Sequence, residues 1–287
     1  MAGGPWMIAK RRVEAFQKEK FKMIIIGEKI NATRKPIAAA LEARDADHIV
    51  KIVLEQAAAG ADYIDLNGGD PRAGRETENM AWLIELVQAN TDLPVAVDSA
   101  DPEAVRVGLS AAGKKPILNS ISLEESRLGS LLPILGEFDC MVVALLMSDQ
   151  GTPTGVDDRV GTAGKLIEKI TAAGRKLDEI IVDPCFLPVS ADPASGRHVI
   201  EAIAAIHQKW PDVHIGGGCS NISYGLPKRK YVNCALLSQA IFQGMDTAII
   251  DPCIPGIMTT IYAAEVVAGR DDFCMNYVMA EREGKLG

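Results

Sequence analysis

Carboxylates and carboxamides recur along this chain at the ends of short apolar runs: Glu28, Asp65, Asn67, Asp98, Asn119, Asp183, Asn221 and Asp251. A carboxylate accepts hydrogen bonds from paired N–H groups, and a carboxamide offers an acceptor and a donor in one plane. Asp98, Asn119 and Asp183 together suit the mixed donor and acceptor edge of a flat heterocycle such as an amino-pyrimidinone. For any one of them the alternative is structural, because Asp and Asn also cap the helix that follows a strand.

Other chemistry has weaker support. His48 and His198 fall on helix faces, His207 near a helix end and His214 at the start of an apolar run, with no partner at metal-ligand spacing. His214 with Cys219 and a remote cysteine matches no strong zinc pattern, so no metal is assigned. Cys140, Cys185, Cys219, Cys234, Cys253 and Cys274 form no C-x-x-C pair, and reduced, mostly buried thiols account for them. Cys219 reads as a small buried filler rather than a nucleophile. Neither G-x-G-x-x-G nor a P-loop occurs. Gly216-Gly217-Gly218 either lets a flat ligand lie on the backbone or marks a bend in the barrel wall.

The elements that must position these residues are strands. The runs are Met23–Glu28, Tyr63–Asn67, Pro94–Ser99, Pro116–Ser120, Met141–Met147, Ile180–Pro184, His214–Asn221 and Thr247–Pro252. Between them lie segments of helical period, expected near 76–89, 123–135, 157–173, 198–209, 233–243 and 255–267. Asp47 is expected to cap a helix running to Ala59, and Asp101-Pro102 to open another. Eight strand–helix units close into an α/β fold of the (β/α)8 TIM-barrel type, whose reactive face gathers the C-terminal strand ends. An echo between Gly60-Ala-Asp62-Tyr-Ile-Asp65 and Gly244-Met-Asp246-Thr-Ala-Ile-Ile-Asp251 is consistent with repeated units.

The 287 residues fit one barrel, with no Ser-, Pro- or Gly-rich divider. One domain is expected over 23–287, preceded by a mixed-charge extension over 1–22. That extension reads as a helix closing the barrel bottom or as a subunit or partner contact. A 48% hydrophobic content with 5% aromatics implies a core of Ala, Ile, Leu and Val. The net charge of −8 argues against nucleic acid as a partner. The longest apolar run, Cys140 to Met147, is too short for a membrane span, and residues 1–22 lack a secretory pattern. A cytoplasmic enzyme is expected.

Taken in order, Ile26-Gly-Glu-Lys-Ile-Asn31, Asp65-Leu-Asn67, Val97-Asp-Ser99, Leu118-Asn-Ser120, Val182-Asp-Pro184 and Ser220-Asn-Ile-Ser223 resemble the pterin-binding methyltransferases that pass a methyl group between tetrahydrofolate and a corrinoid protein. The resemblance spans roughly residues 23–280 and extends to the folate module of cobalamin-dependent methionine synthase and, more distantly, to dihydropteroate synthase. It implies a pterin-binding barrel over 23–287. Asp98, Asn119 and Asp183 would hold the pterin ring and Asn221 would reach the methyl-bearing N5, making Asn221 and Asp183 the catalytic pair. Glu28, Asn31, Asp65, Asn67, Gly218 and Ser220 would be pocket residues, with Arg229 near the folate tail. Methyltetrahydrofolate is then the substrate, cobalamin is carried by a corrinoid partner protein, and the chain forms a homodimer. The segment Tyr224-Gly-Leu-Pro-Lys-Arg-Lys230 departs from the Gln-rich stretch of acetyl-CoA-pathway members, on the face a corrinoid protein would approach.

The implied reaction accounts for the absence of a nucleophile, because reduced cobalt comes from the partner. A methyl group on a tertiary amine leaves only if N5 gains a proton or a strong hydrogen bond, which the Asn221 amide can stabilise. A dihydropteroate synthase is the alternative enzyme, but its Ser- and Gly-rich early loop is missing and Asp251-Pro-Cys carries no Arg or His. A non-catalytic pterin-binding subunit is the remaining reading.

Overall fold

A computed structural model describes residues 22–287, so the reading of the extension over 1–22 falls, Lys22 apart, outside the described residues. All eight apolar runs are strands: β1 (Ile24–Asn31), β2 (Tyr63–Asn67), β3 (Val95–Asp98), β4 (Ile117–Leu123), β5 (Met141–Ser148), β6 (Ile180–Asp183), β7 (His214–Gly218) and β8 (Thr247–Ile250). They pair in parallel, in sequence order, and close where Ile24 to Gly27 align with Thr247 to Ile250. The helices are α1 (Lys35–Ala43), α2 (Ala46–Ala58), α3 (Arg75–Asn90), α4 (Pro102–Ala111), α5 (Glu125–Glu137), α6 (Val156–Ala172), α7 (Ser195–Lys209), α8 (Arg229–Phe242), α9 (Ile257–Val267) and α10 (Met275–Arg282). No helix among the described residues is long and apolar enough to cross a membrane.

Strand alternation divides the apolar residues into two cores. Ile26, Ala96, Ile117, Met141, Val143, Ile181 and Ile249 fill the barrel interior. Ile25, Val97, Leu118, Val182 and Ile250 point outward into the larger core beneath the helices. A strand buried on both faces in this way reads as a continuous apolar run. The polar residues stand where each run emerges from the barrel.

Asp101 caps α4 as expected, its carboxylate accepting from the Glu103 amide at 3.0 Å. The cap of α2 is Asp45 rather than Asp47: Asp45 Oδ1 accepts from the His48 amide at 3.0 Å. Asp47 instead lies in the first turn, where a carboxylate favours the positive end of the helix dipole. Helices α1 and α10 are additions to the expected set.

The echo between Asp62 and Asp246 is a true structural repeat. In each unit a glycine with positive φ, Gly60 (101°) or Gly244 (118°), turns the chain out of a helix. The aspartate that follows docks on the preceding strand. Asp62 donates its amide to the Ile25 carbonyl at 2.7 Å while its carboxylate accepts from the Ile25 amide at 2.9 Å. Asp246 does the same to Ile215, at 3.0 and 2.8 Å, and its second oxygen lies 2.8 Å from His214 Nδ1. These aspartates set strand register at the bottom of the barrel, away from the strand ends that gather the polar residues.

Asp246→Ala removes the acceptor of a buried amide and is expected to cost about 1.5–3 kcal/mol. Asp62, with a more exposed side chain (30% against 12%), should cost less on the same substitution. Urea denaturation of both variants checks the order.

Candidate functional site

The C-terminal strand ends enclose an open cavity of about 610 Å³, within the range of small-molecule sites. Glu28, Asn31, Asp65, Asp98, Asn119, Asp183, Gly218, Ser220, Asn221 and Arg229 line it. Asn67 and Asp251 do not. Thr33, Arg34, Ser120, Leu145, Tyr224 and Ile249 complete the wall. Glu28 and Asn31 both face the cavity despite their three-residue spacing, because β1 slips register against β2 between Gly27 and Ile30. Gln56 of α2 supports the slip by accepting the Lys29 amide at 3.0 Å.

Asp183 is the most elaborately held of these groups. It ends β6, is 7% exposed, and accepts the Cys185 amide on Oδ1 at 2.9 Å and the Gly218 amide on Oδ2 at 3.2 Å. Each oxygen keeps a further acceptor position, so the carboxylate can take two parallel N–H donors from a ligand. Burial pushes its pKa up to about 6, against the opposing pull of those two amides and of Arg159. The glycine run of β7 makes this placement possible. A Cβ at Gly217 would fall on the Asp183 carboxylate, and one at Gly216 on the Thr247 carbonyl. A Cβ at Gly218 would lie 2.9 Å from Asn221 Nδ2. The three glycines therefore admit neighbouring protein groups.

On the opposite wall, amides and acids interlock. Asn119 donates to Asp65 Oδ1 and Asn67 to Asp98 Oδ2, each at 3.0 Å. Asn67 Oδ1 also accepts the Gly69 amide at 3.1 Å, so both ends of its side chain are engaged and it orients Asp98 from behind. Asn119 keeps its carbonyl oxygen for the cavity. Burial raises the pKa of Asp65 and Asp98, and the charge of Asp98 raises Asp65 further. The register places Asp98 beside Asn119 on adjacent strands.

Asn221 sits on a short 3-10 turn, Cys219–Ser223, directly after β7. Among the described residues its side-chain amide has no hydrogen-bond partner, and it is exposed to the cavity. The turn itself is firmly tied. Arg229 at the start of α8 donates to the Ser220 carbonyl at 2.6 Å and to Ser223 Oγ at 3.0 Å, with its guanidinium 6.0 Å from the Tyr224 ring centre. Ser220 Oγ donates to Glu28 at 2.8 Å, and Arg34 pairs with the same carboxylate oxygen at 3.3 Å. Burial raises the pKa of Glu28, with Ser220 and Arg34 pulling the other way. Asp251 accepts the Cys253 amide at 2.9 Å instead of facing the cavity.

Arg34 and Tyr224 lacked a strong signal in the sequence, since each follows a strand end by several residues and reaches back over the mouth. No group of three or more His, Cys, Asp or Glu among the described residues is arranged to hold a metal ion.

A sequence profile described as "Pterin binding enzyme" matches residues 27–251. The chain is 34% identical over 268 residues to a methylcorrinoid:tetrahydrofolate methyltransferase of Eubacterium limosum, covering 92% of this chain and 98% of that protein. It is 28% identical over 242 residues to a methionine synthase of Mycobacterium tuberculosis, 79% of this chain but 20% of that longer protein. Among solved structures, a dihydropteroate synthase of Xanthomonas albilineans with bound 7,8-dihydropteroate superposes with a TM-score of 0.67 at 19% identity, over 86% of this chain and 93% of that one. One from Coxiella burnetii with pteroic acid gives 0.66 at 14%, over 86% and 94%. The structural likenesses speak for the barrel alone. The profile and the near-full-length relative carry the assignment: the chain belongs to the pterin-binding enzyme family.

Proposed function

We propose that this chain is a methyltransferase that moves a methyl group between N5 of tetrahydrofolate and the cobalt of a corrinoid carried by a partner protein, with 23–287 as its pterin-binding domain. The observation that carries the reading is the division of the mouth into satisfied and unsatisfied groups. Asp183 has two oxygens pre-oriented by backbone amides and open to a pair of ligand N–H donors. Asp98 and Asn119 stand ready beside each other with Asn67 and Asp65 behind them. The 2-amino-4-oxo edge of a pterin presents donors and acceptors that fit this set. Asn221 has no protein partner among the described residues and is free to act on the ligand.

When the partner docks at the open mouth, its cobalt supplies the nucleophile for the methyl group or, in reverse, the methyl group itself. The residues of this chain do the rest. Asp98, Asn119 and Asp183 bind and orient the ring, converting an encounter into an aligned approach. Asn221 stabilises the developing lone pair on N5 through Nδ2, or holds through Oδ1 a proton that N5 carries. Because it acts where charge develops, its contribution falls on the transition state more than on binding. Gly218 leaves space for that amide, and Glu28, Asn31, Ser220 and Arg229 form the surrounding wall. A homodimer and a cytoplasmic location complete the proposal, as the family resemblance implies. The dihydropteroate synthase alternative gains no support at the eighth strand, where Asp251 turns to its own loop.

Asn221→Ala is expected to lower methyl transfer about 10²–10³-fold while methyltetrahydrofolate affinity stays within a few-fold. Asp183→Ala should abolish binding, as measured by calorimetry beside a stopped-flow transfer assay. Loss of binding in the first variant, or intact transfer in it, contradicts the division of roles.

Protonating Asp183 turns one of its two acceptor oxygens into a donor, so it no longer matches a pair of ligand N–H groups. Affinity for the folate should therefore fall about tenfold per pH unit below about 6, the value to which burial raises this carboxyl. The effect on stability has the opposite sign. An acid whose folded pKa lies above its unfolded value costs stability once pH rises past the unfolded value, so this contribution is lost between about pH 4 and 6. Asp183→Asn should flatten both profiles, as followed by calorimetry and by urea melts across that range.

A further inference from the structure

Arg159 is a charged side chain that the site as described leaves unexplained. It lies in the first turn of α6, is 1% exposed, and forms no ion pair among the described residues. Its planar fork donates instead to three backbone carbonyls: Nε to Pro184 at 2.7 Å, Nη2 to Cys185 at 3.2 Å and Nη1 to Gly155 at 3.1 Å. Burying a guanidinium is expensive unless each donor is used, and an apolar chain of similar size would fill the same space. The two carbonyls beyond its own helix belong to the turn directly after Asp183.

That turn is in a conformation it would not choose alone. Cys185 has φ of 62°, the left-handed region that a residue with a Cβ rarely adopts. In this conformation its amide points back to Asp183 Oδ1 at 2.9 Å. The Cys185 amide shares one peptide plane with the Pro184 carbonyl, so the group that holds that carbonyl also aims the amide. Arg159 grips the carbonyls on both sides of the strained residue, so the two features belong together.

We propose that Arg159 is the positioning residue of the ligand-reading carboxylate, clamping the Pro184-Cys185 turn so that the Cys185 amide stays aimed at Asp183. The proposal rests on the reading of Asp183 as a pterin-binding group, but its physical content concerns the free protein. Arg159 is also the charged group that favours the ionised form of Asp183. The thiols near that carboxylate, Cys185 after β6 and Cys219 after β7, are held neutral by burial, Cys185 being pushed up to about 12. Asp158 and Asp192 act on Arg159 from its own helix and from the loop before α7.

The test uses the full chain in three forms, Arg159→Met, Arg159→Lys and Arg159→Met with Cys185→Gly. The first readout is the carboxyl titration of Asp183 by carbon-13 NMR in unliganded protein, its signal assigned with Asp183→Asn. The second is methyltetrahydrofolate affinity against pH. Arg159→Met is expected to move the Asp183 midpoint upward by about one unit or more, to move the acid limb of binding with it, and to weaken binding at neutral pH about tenfold or more. Arg159→Lys is a point charge that cannot span both carbonyls, so it should retain the fold and show the same shifts in smaller measure. Cys185→Gly, added to Arg159→Met, should recover much of the affinity, because glycine enters the left-handed turn without the Cβ penalty that the clamp otherwise opposes.

An unchanged Asp183 midpoint in folded Arg159→Lys and Arg159→Met overturns the proposal. Loss of affinity that the glycine does not restore also overturns it, since that marks a general packing role. Should Arg159→Met fail to fold, Arg159→Lys decides alone. Titration shifts in the Arg159 variants, beside a wild-type protein that binds no folate, would sink the pterin reading and leave the clamp standing.

Discussion

Much of the mouth depends on keeping one carboxylate, Asp183, buried, ionisable and correctly aimed at the end of a barrel strand. Water is nearly excluded from it, so protein must supply what solvent would. Two backbone amides do so, and each requires something unusual of the chain. The Cys185 amide comes from a turn whose own residue is left-handed, and the Gly218 amide from a strand with no side chains at 216, 217 and 218. The glycine run and the strained turn are two consequences of the same constraint.

The other polar residues at the mouth show a graded commitment. Asn67 is occupied at both ends, Asp65 and Asn119 hold one another while Asn119 retains an acceptor, and Asn221 is unengaged among the described residues. Groups already satisfied contribute rigidity, and groups left open contribute recognition or chemistry. Burial raises Glu28, Asp65, Asp98 and Asp183 together, so ionising the mouth costs stability as pH rises from acid toward neutral. The apolar interior formed by Ile26, Ile117, Ile181 and their neighbours offsets that cost. Stability resides in the barrel and its lower end, and function in the strand ends.

The strands were readable in the sequence because a strand buried on both faces is apolar until it emerges, and here it emerges onto Asp, Asn or Glu. Seven such endings, with Ser148 closing the fifth strand, were enough to indicate both the fold and the side of the barrel that gathers the polar groups. The Asp62 and Asp246 echo was visible for a local reason, since each aspartate pairs with its neighbouring strand within one repeat. What stayed hidden depends on contacts distant in sequence. Whether Asn67 or Asn119 lines the cavity is not legible from residue type, because each amide is held by an acid on another strand. The room made by Gly217 is intelligible only once Asp183, from another strand, occupies it. Asp47 was the expected cap by type, and the backbone places the cap two residues earlier, at Asp45. Arg159 looks like any surface arginine of an amphipathic helix until its helix is docked.

Methyl exchange between a folate and a corrinoid at these strand ends can be followed by its own spectral change. The most direct measurement is the absorbance of reduced cobalt, followed after mixing this protein and methyltetrahydrofolate with free cobalamin and with several corrinoid proteins. The account predicts loss of the reduced-cobalt band at a rate proportional to the amount of this protein, with methylated cobalt appearing as it fades. A band that persists with every corrinoid tried would contradict it.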